Sequence, residues 1–304
     1  MEDQMTLTVS RRTVQRFFLL RPDANGEMQN AMWYCAGLAA EEHGIELHAM
    51  TGMATHPHYS MSDPHSLAPD FYADFHRNLA AATKGLRDWD EEVFNKSSTA
   101  GLEICTPEAF VEDLAYIIAN PVAAGVVKRP EDYPGVIVLP KQLGRRRIIA
   151  RRPNLPYFRS ARWPAQVEIT LTLPQWVVDH YGSEEAVRRE VKVELEGLLS
   201  EIHRERAAEG KGYLGAKRAV RISHEVRSTR VEERGRINPL FKVGRGQVAL
   251  ARAKLREIRG WYACYDDCRE RWTSGDRNVV WPAGTWWMRV FHRAPCESDL
   301  PPET

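Results

Sequence analysis

Cysteine is sparse in this chain: five residues, an odd number, at Cys35, Cys105, Cys264, Cys268 and Cys296. They show neither the paired two-residue spacing of a zinc site nor the density of a disulfide scaffold, so a reducing, cytoplasmic setting is expected. Long apolar runs are missing as well. None approaches the roughly 20 residues that cross a bilayer, mean hydropathy is -0.46, and the opening MEDQMTLTVSRR has no signal-peptide core. Membrane and secreted classes are therefore disfavoured. There is no internal repeat and no low-complexity tract, and at 304 residues the chain is long enough for two domains.

Net charge is also low, +1, but it conceals an asymmetry. Residues 1–135 carry 10 Lys and Arg against 20 Asp and Glu, and the remainder carries 32 against 21. The densest basic stretch, Lys141 to Arg162, holds eight cations (Lys141, Arg145, Arg146, Arg147, Arg151, Arg152, Arg159, Arg162) and no acid. Such a density suits a polyphosphate partner; a solvated linker is the alternative.

Local patterns divide the chain near Gly144. Ahead of it, Thr13–Leu20 is β-rich, Gln29–His43 reads as a helix stopped by Gly44, and Ile45–Met61 reads as a strand or a pair of strands. Asp70–Arg87 reads as a second helix. A third begins at Thr106 as N-cap, with Pro107 in the first turn and Glu108 at the positive end, and is expected to end at Asn120-Pro121. The expected organisation is a 1–143 α+β domain, a 144–166 basic linker and a 167–304 C-terminal, mainly helical, basic region for which DNA binding is one reading. In that last region Val167–Leu173 reads as a strand and Ser183 caps a long helix that ends by Gly210. A basic helix of two to three turns with Lys217, Arg218 and Arg221 is expected after Gly215, with a helix-turn-helix reader as one interpretation. Gln247–Trp272 is a further helix. Val279–Phe291 reads as strand or turn, its tryptophans either packing a core or stacking on bases.

The chemistry concentrates at His56-Pro57-His58. In an extended strand, positions i and i+2 share a face, so the two imidazoles form a pair of nitrogen donors for a divalent ion. Two surface histidines would look the same. The third helix narrows the choice, because Glu112, Tyr116 and Asn120 fall at i, i+4 spacing on one stripe while Val111, Leu114, Ala115 and Ile118 form the buried stripe. If that helix crosses the histidine strand, Asn120 or Glu112 supplies an oxygen to the metal and Tyr116 reaches a metal-bound phosphate.

With these residues in order, the sequence resembles the REP-associated tyrosine transposases, members of the single-tyrosine HUH group of single-strand DNA nucleases. The resemblance lies in HGIELHAMTGMATHPHYSM (His43–Met61), which carries the His-x-His pair, and LAYIIANPVAAGVVKRPEDYPG (Leu114–Gly135). The second segment has the tyrosine, three residues, Asn-Pro, the Gly-Val exit and the Pro-x-x-Tyr-Pro turn. The resemblance covers roughly residues 10–140. It implies an α+β fold, a ferredoxin/RRM-like antiparallel sheet with helices on one face.

By the same resemblance His56 and His58 are metal ligands, Asn120 is the third, Tyr116 is the nucleophile, and Glu112 is an additional metal or acid/base candidate. Two positions depart from the family pattern: Pro57 replaces a bulky apolar residue, and Thr55 stands where Asn is common. The implied cofactor is Mg2+ or Mn2+, since mixed His/Asn ligation suits both. A phenol with a pKa of about 10 is a weak nucleophile at neutral pH and needs such an ion. Attack leaves a 5'-phosphotyrosine and a free 3'-hydroxyl, which another strand can reseal. The implied partner is single-stranded or hairpin DNA, with a homodimer as one route to strand exchange. A regulatory DNA-binding protein with weak or no cleavage is the alternative. An RNA-binding sheet is disfavoured by the lack of an aromatic RNP pattern.

Overall fold

The computed structural model describes residues 5–96, 99–229 and 240–297. Its first part runs β1 (Met5–Ser10), α1 (Glu27–His43), β2 (Glu46–Met53), β3 (His56–Asp63), α2 (Ala68–Arg87), β4 (Ala100–Ile104) and α3 (Pro107–Ala123). The strand order is β2-β3-β1-β4, antiparallel throughout, and a two-residue strand β7 (Phe241–Lys242) adds to β4 in parallel. The fold is thus α+β with a mixed five-stranded sheet.

The sheet is covered on both faces, which corrects the expectation of helices on one. Tyr59 packs its ring against Phe71 and Phe75 of α2. Its neighbour His58 points the other way, toward Tyr116 of α3. A Cβ at Gly52 would meet Met32 of α1, which places α1 on the α2 side. The face under α3 carries hydroxyls and imidazoles as well as apolar groups. It is held by specific bonds, among them Thr8 to the Asp113 carboxylate and Trp176 Nε1 to Thr6 Oγ1 at 3.2 Å.

Helix ends follow the expected chemistry in most places. Gly44 closes α1 in the left-handed region (φ 66°). Thr106 Oγ1 accepts from Ala109 N at 3.2 Å at the start of α3, and Ser183 Oγ accepts from Ala186 N at 3.1 Å at the start of α5 (Glu184–Ala208). Three expectations fail. The strand near the N-terminus is Met5–Ser10, whereas 13–20 is irregular, with Gln15 and Arg16 at positive φ. The third helix passes through Pro121 to Ala123 before turning at Gly125. Val279–Phe291 contains no strand; it ends in the short helix α8 (Trp286–His292), with Trp281 buried against Val279, Cys268 and Met288 and Trp287 exposed.

The basic stretch 144–166 is not an extended connector. Arg147–Arg151 forms β5, paired antiparallel with β6 (Gln166–Thr170), and Ile148, Ala150, Val167 and Ile169 join the same apolar core as the main sheet. Val187, Val191 and Leu195 of α5 belong to that core too, after the short helix α4 (Gln175–Tyr181). The core therefore runs across the expected boundary at 143/144. Burial alternates along both strands, so Ile148, Ala150, Val167 and Ile169 face the core while Arg147, Ile149 and Arg151 face outward. The basic helix after Gly215 is a single turn, α6 (Ala216–Ala219), too short to be the second helix of a helix-turn-helix reader. A long helix α7 (Val248–Thr273) follows β7. No helix among the described residues is long and apolar enough to cross a membrane.

Candidate functional site

β3 lies between β2 and β1, yet it tolerates Pro57. The β1 ladder ends at the Ser10–His58 pair, and on the other side Gly52 turns its N–H away from β3 to Val136 O (2.9 Å). The missing proline N–H therefore falls where no ladder bond is required. Tyr133, from the Pro-x-x-Tyr-Pro turn, donates its hydroxyl to Gly52 O at 2.6 Å and braces β2 opposite Pro57.

The two histidines share one face of β3, with ring centroids 4.4 Å apart. The Tyr116 ring stands edge-on to His58 at 5.8 Å. Tyr116 is 51% exposed, whereas His58 is buried behind it. Asn120, one turn along α3, donates Nδ2–H to Tyr116 O at 3.0 Å, so its amide oxygen is the end not committed to that bond. His56, Tyr116 and Asn120 line one cleft of about 570 Å3 together with Arg12, Arg16 and Thr55. The buried Thr8–Asp113 bond fixes α3 over β1 and so sets where Tyr116 projects. Burial raises the Asp113 carboxyl to about 6, against the lowering influence of Thr8 and Lys242.

Both imidazoles are held neutral. Burial, and secondarily the Arg12 charge, lowers His56 to about 4. His58 is pushed well below its ordinary value by burial, then by His56 and Arg12. A neutral imidazole keeps a lone pair for a metal. His58 Nε2 is buried with no hydrogen-bond partner, as are the Thr51 and Ser60 hydroxyls beside it on the same face. An orphaned nitrogen of this kind, beside a second neutral imidazole, fits a divalent ion.

Other sequence candidates fall elsewhere. Glu112 is bracketed by Lys242 (3.6 Å) and Arg245 (3.3 Å) and does not line the cleft; it ties α3 to the β7 segment. Lys141, Arg145, Arg146, Arg147, Arg151 and Arg152 are also outside it. Arg146 donates to Ile137 O at 2.8 Å and lies over the Trp33 ring, Arg147 pairs with Glu168, and Arg152 donates to Trp163 O at 3.0 Å. Lys217, Arg218 and Arg221, by contrast, stand on exposed chain next to the cleft, whose lining includes Leu214, Ala219 and Ile222. Among the described residues, the cluster of three His, Asp or Glu donors is Glu42, His43 and Asp74, away from the cleft, where Asp74 also pairs with Arg77. Sequence reasoning missed Arg12 and Arg16, which precede the histidines by some forty residues and sit on irregular chain without a motif.

No family model matches the chain, and no curated protein matches it. Solved structures that resemble part of it include two transposases. One is a REP-associated tyrosine transposase bound to a REP hairpin, at 16% identity over 46% of this chain and 80% of that one, with a TM-score of 0.38. Another is described as a "putative transposase" from Deinococcus radiodurans R1, at 18% identity over 34% of this chain and 80% of that one, with a TM-score of 0.29. At these scores the functional reading rests on the residues of the cleft themselves.

Proposed function

We propose that the protein is a metal-dependent single-strand DNA endonuclease and strand transferase of the transposase type, acting through Tyr116 on hairpin-forming DNA. The observation that carries this reading is the placement of an exposed tyrosine edge-on to one of two adjacent, neutral histidines. His56, His58 and the Asn120 amide oxygen would hold Mg2+ or Mn2+. Bound there, the ion supplies positive charge against the scissile phosphate and favours loss of the phenolic proton.

The chain's own residues do the rest. Tyr116 presents its oxygen at the cleft mouth and attacks phosphorus. The new bond is P–O(Tyr), the bond broken is P–O3', and the departing 3'-oxygen takes up a proton as the phenol gives one up. The phosphodiester energy is kept in the 5'-phosphotyrosine, so the 3'-hydroxyl of another strand can reverse the step without ATP. Arg12 and Arg16 on the same cleft wall add positive charge where the phosphate must sit.

Incubation of labelled hairpin single strands with Mn2+, followed by denaturing electrophoresis, tests this. Wild type should give a protein–DNA adduct that survives denaturation, and Tyr116→Phe should give none while binding DNA within a few-fold of wild type. His56→Ala and His58→Ala should each lower adduct yield by orders of magnitude. DNA binding with no adduct under any metal would instead select the regulatory reading.

A further inference from the structure

Residues 213–228 cross the mouth of the cleft as a strap. One end is hydrogen-bonded to the exit of α3, Leu214 N to Gly125 O and Gly215 N to Val126 O, both 2.8 Å. The other is bonded to the 13–22 segment, Phe18 N to Val226 O at 2.9 Å and Ser228 N to Arg16 O at 3.1 Å. Between these anchors Leu214 and Ile222 serve two depressions at once. They line the catalytic cleft, and they line a neighbouring hollow of about 250 Å3 rimmed by Lys217, Arg218 and Arg221.

This rim gathers three exposed cations around one hollow. Arg146, Arg147 and Arg152 are committed to carbonyls or a carboxylate, whereas among the described residues none of Lys217, Arg218 and Arg221 has an acidic partner, and all three are exposed. Three cations without counter-charges around an apolar floor match one chemical class of ligand, a nucleotide: the phosphate on the cations, the base or sugar on Leu214 and Ile222. We infer that the strap hollow is a subsite for the single-stranded DNA immediately flanking the scissile phosphate, on one side of it. The inference rests on the cleavage reading for the identity of the neighbouring cleft. The strap divides the strand's path in two, so that bond-breaking and flank-holding are separate functions of adjacent surfaces.

The test uses the full chain and fluorescein-labelled oligothymidylates of two to twelve nucleotides, because phosphate binding does not require a sequence. Binding is measured from 50 to 200 mM salt for wild type, for the combined Lys217→Ala, Arg218→Ala, Arg221→Ala variant, and for the charge-preserving Lys217→Arg, Arg218→Lys, Arg221→Lys variant. With a slope near -0.7 per neutralised phosphate, the alanine variant should lose about two units of slope on the longer oligomers. Wild type should then lose roughly fifteenfold more affinity than that variant across this salt range. The shortest oligomers, which the cleft alone accommodates, should bind both proteins alike, and the charge-preserving variant should follow wild type.

Parallel salt lines at every length would overturn the subsite. Equal weakening at the shortest and longest lengths would overturn it too, by assigning the cations to the cleft. Tyr116→Phe should keep the wild-type slope throughout. Loss of slope in the alanine variant without any wild-type adduct on hairpin DNA would overturn the cleavage reading alone, and adduct formation with an unchanged slope would overturn the subsite alone.

Discussion

Thr55 Oγ1 lies 2.7 Å from His56 Nδ1. The sequence marks Thr55 as a departure from the family pattern, and the structure gives it a task. A neutral imidazole carries one N–H; if Nδ1–H donates to the threonine oxygen, Nε2 keeps its lone pair for a metal. If the hydroxyl donated instead, Nε2 would carry the proton and could not ligate. In the proposed metal site Thr55 would be a positioning residue, accepting from Nδ1–H when Nε2 ligates.

Thr55→Val should therefore lower Mn2+ affinity by about ten- to a hundredfold, the usual cost of losing an outer-shell partner of a ligating histidine. Thr55→Ser should restore most of it. Titration calorimetry with Mn2+ alone reads this without DNA or turnover. Unchanged affinity in the valine variant would show that the hydroxyl does not set the ring.

Gly52 has a steric reason to be glycine. A Cβ there would sit about 2.5 Å from Met32 Sδ and 3.3 Å from Val136 Cβ, both buried, while its carbonyl and N–H hold Tyr133 and Val136. Gly52→Ala should destabilise the protein by about 1–3 kcal/mol through overpacking. Urea denaturation measures it, and a stability equal to wild type would mean Met32 repacks at no cost.

The parts of this molecule legible in the sequence are those with a local chemical signal. Thr106 and Pro107 announce the start of α3, and Gly44 the end of α1, because caps act within a few residues. The stripe of Tyr116 and Asn120, and the shared face of His56 and His58, follow from helix and strand periods alone. What was hidden depends on distant chain. Thr13–Leu20 is rich in β-formers but does not alternate, and it folds as irregular chain pinned by Val93, Ala54 and Val226. Pro121 lacks its N–H, yet the helix runs on to Ala123 and is followed by the Ala124 N to Asn120 O bond (2.9 Å). The eight cations of 141–162 masked a strand whose buried face is only Ile148 and Ala150, and its partner arrives fifteen residues later.

Arg146 illustrates the consequence. Its guanidinium is half-buried, bonded to Ile137 O and set over Trp33, and burial lowers its pKa. Arg146→Ala should cost about 1–2 kcal/mol of stability from the lost bond and ring contact. The salt slope of DNA binding should be unchanged. A denaturation midpoint and a salt titration on the same preparation separate the two, and a flattened slope at unchanged stability would return this arginine to the DNA path.

Acid should unfold this protein earlier than its carboxylates alone would dictate. His48 is fully buried, donating Nδ1–H to Thr172 O at 3.1 Å and accepting from Ser62 Oγ at 2.8 Å; burial pushes it down to about 4 despite the Thr172 carbonyl, which favours the charged form. His76 accepts from Arg11 at 3.1 Å and donates to the Tyr59 hydroxyl at 3.2 Å; burial, then the Arg11 charge, takes it to about 3. Unfolded, both rings titrate near 6.5. As pH falls below that value the unfolded chain binds protons that the fold refuses until about pH 4 and 3, so stability is complete above 6.5 and declines progressively below it. Asp113 works in the opposite sense: raised to about 6, it binds a proton in the fold before the unfolded chain does, adding stability as pH falls from 6 to its unfolded value near 3.9. His48 and His76, joined in the same sense by His56 and His58 of the cleft, outweigh one raised carboxyl, and the net loss between pH 6.5 and 4 should be at least on the order of a few kcal/mol. Urea midpoints at pH 7.5, 6, 5 and 4 measure it. His48→Gln, which keeps a donor and an acceptor but cannot titrate, should make the decline shallower, and a wild-type profile that is flat or rising over this interval would contradict the assignment.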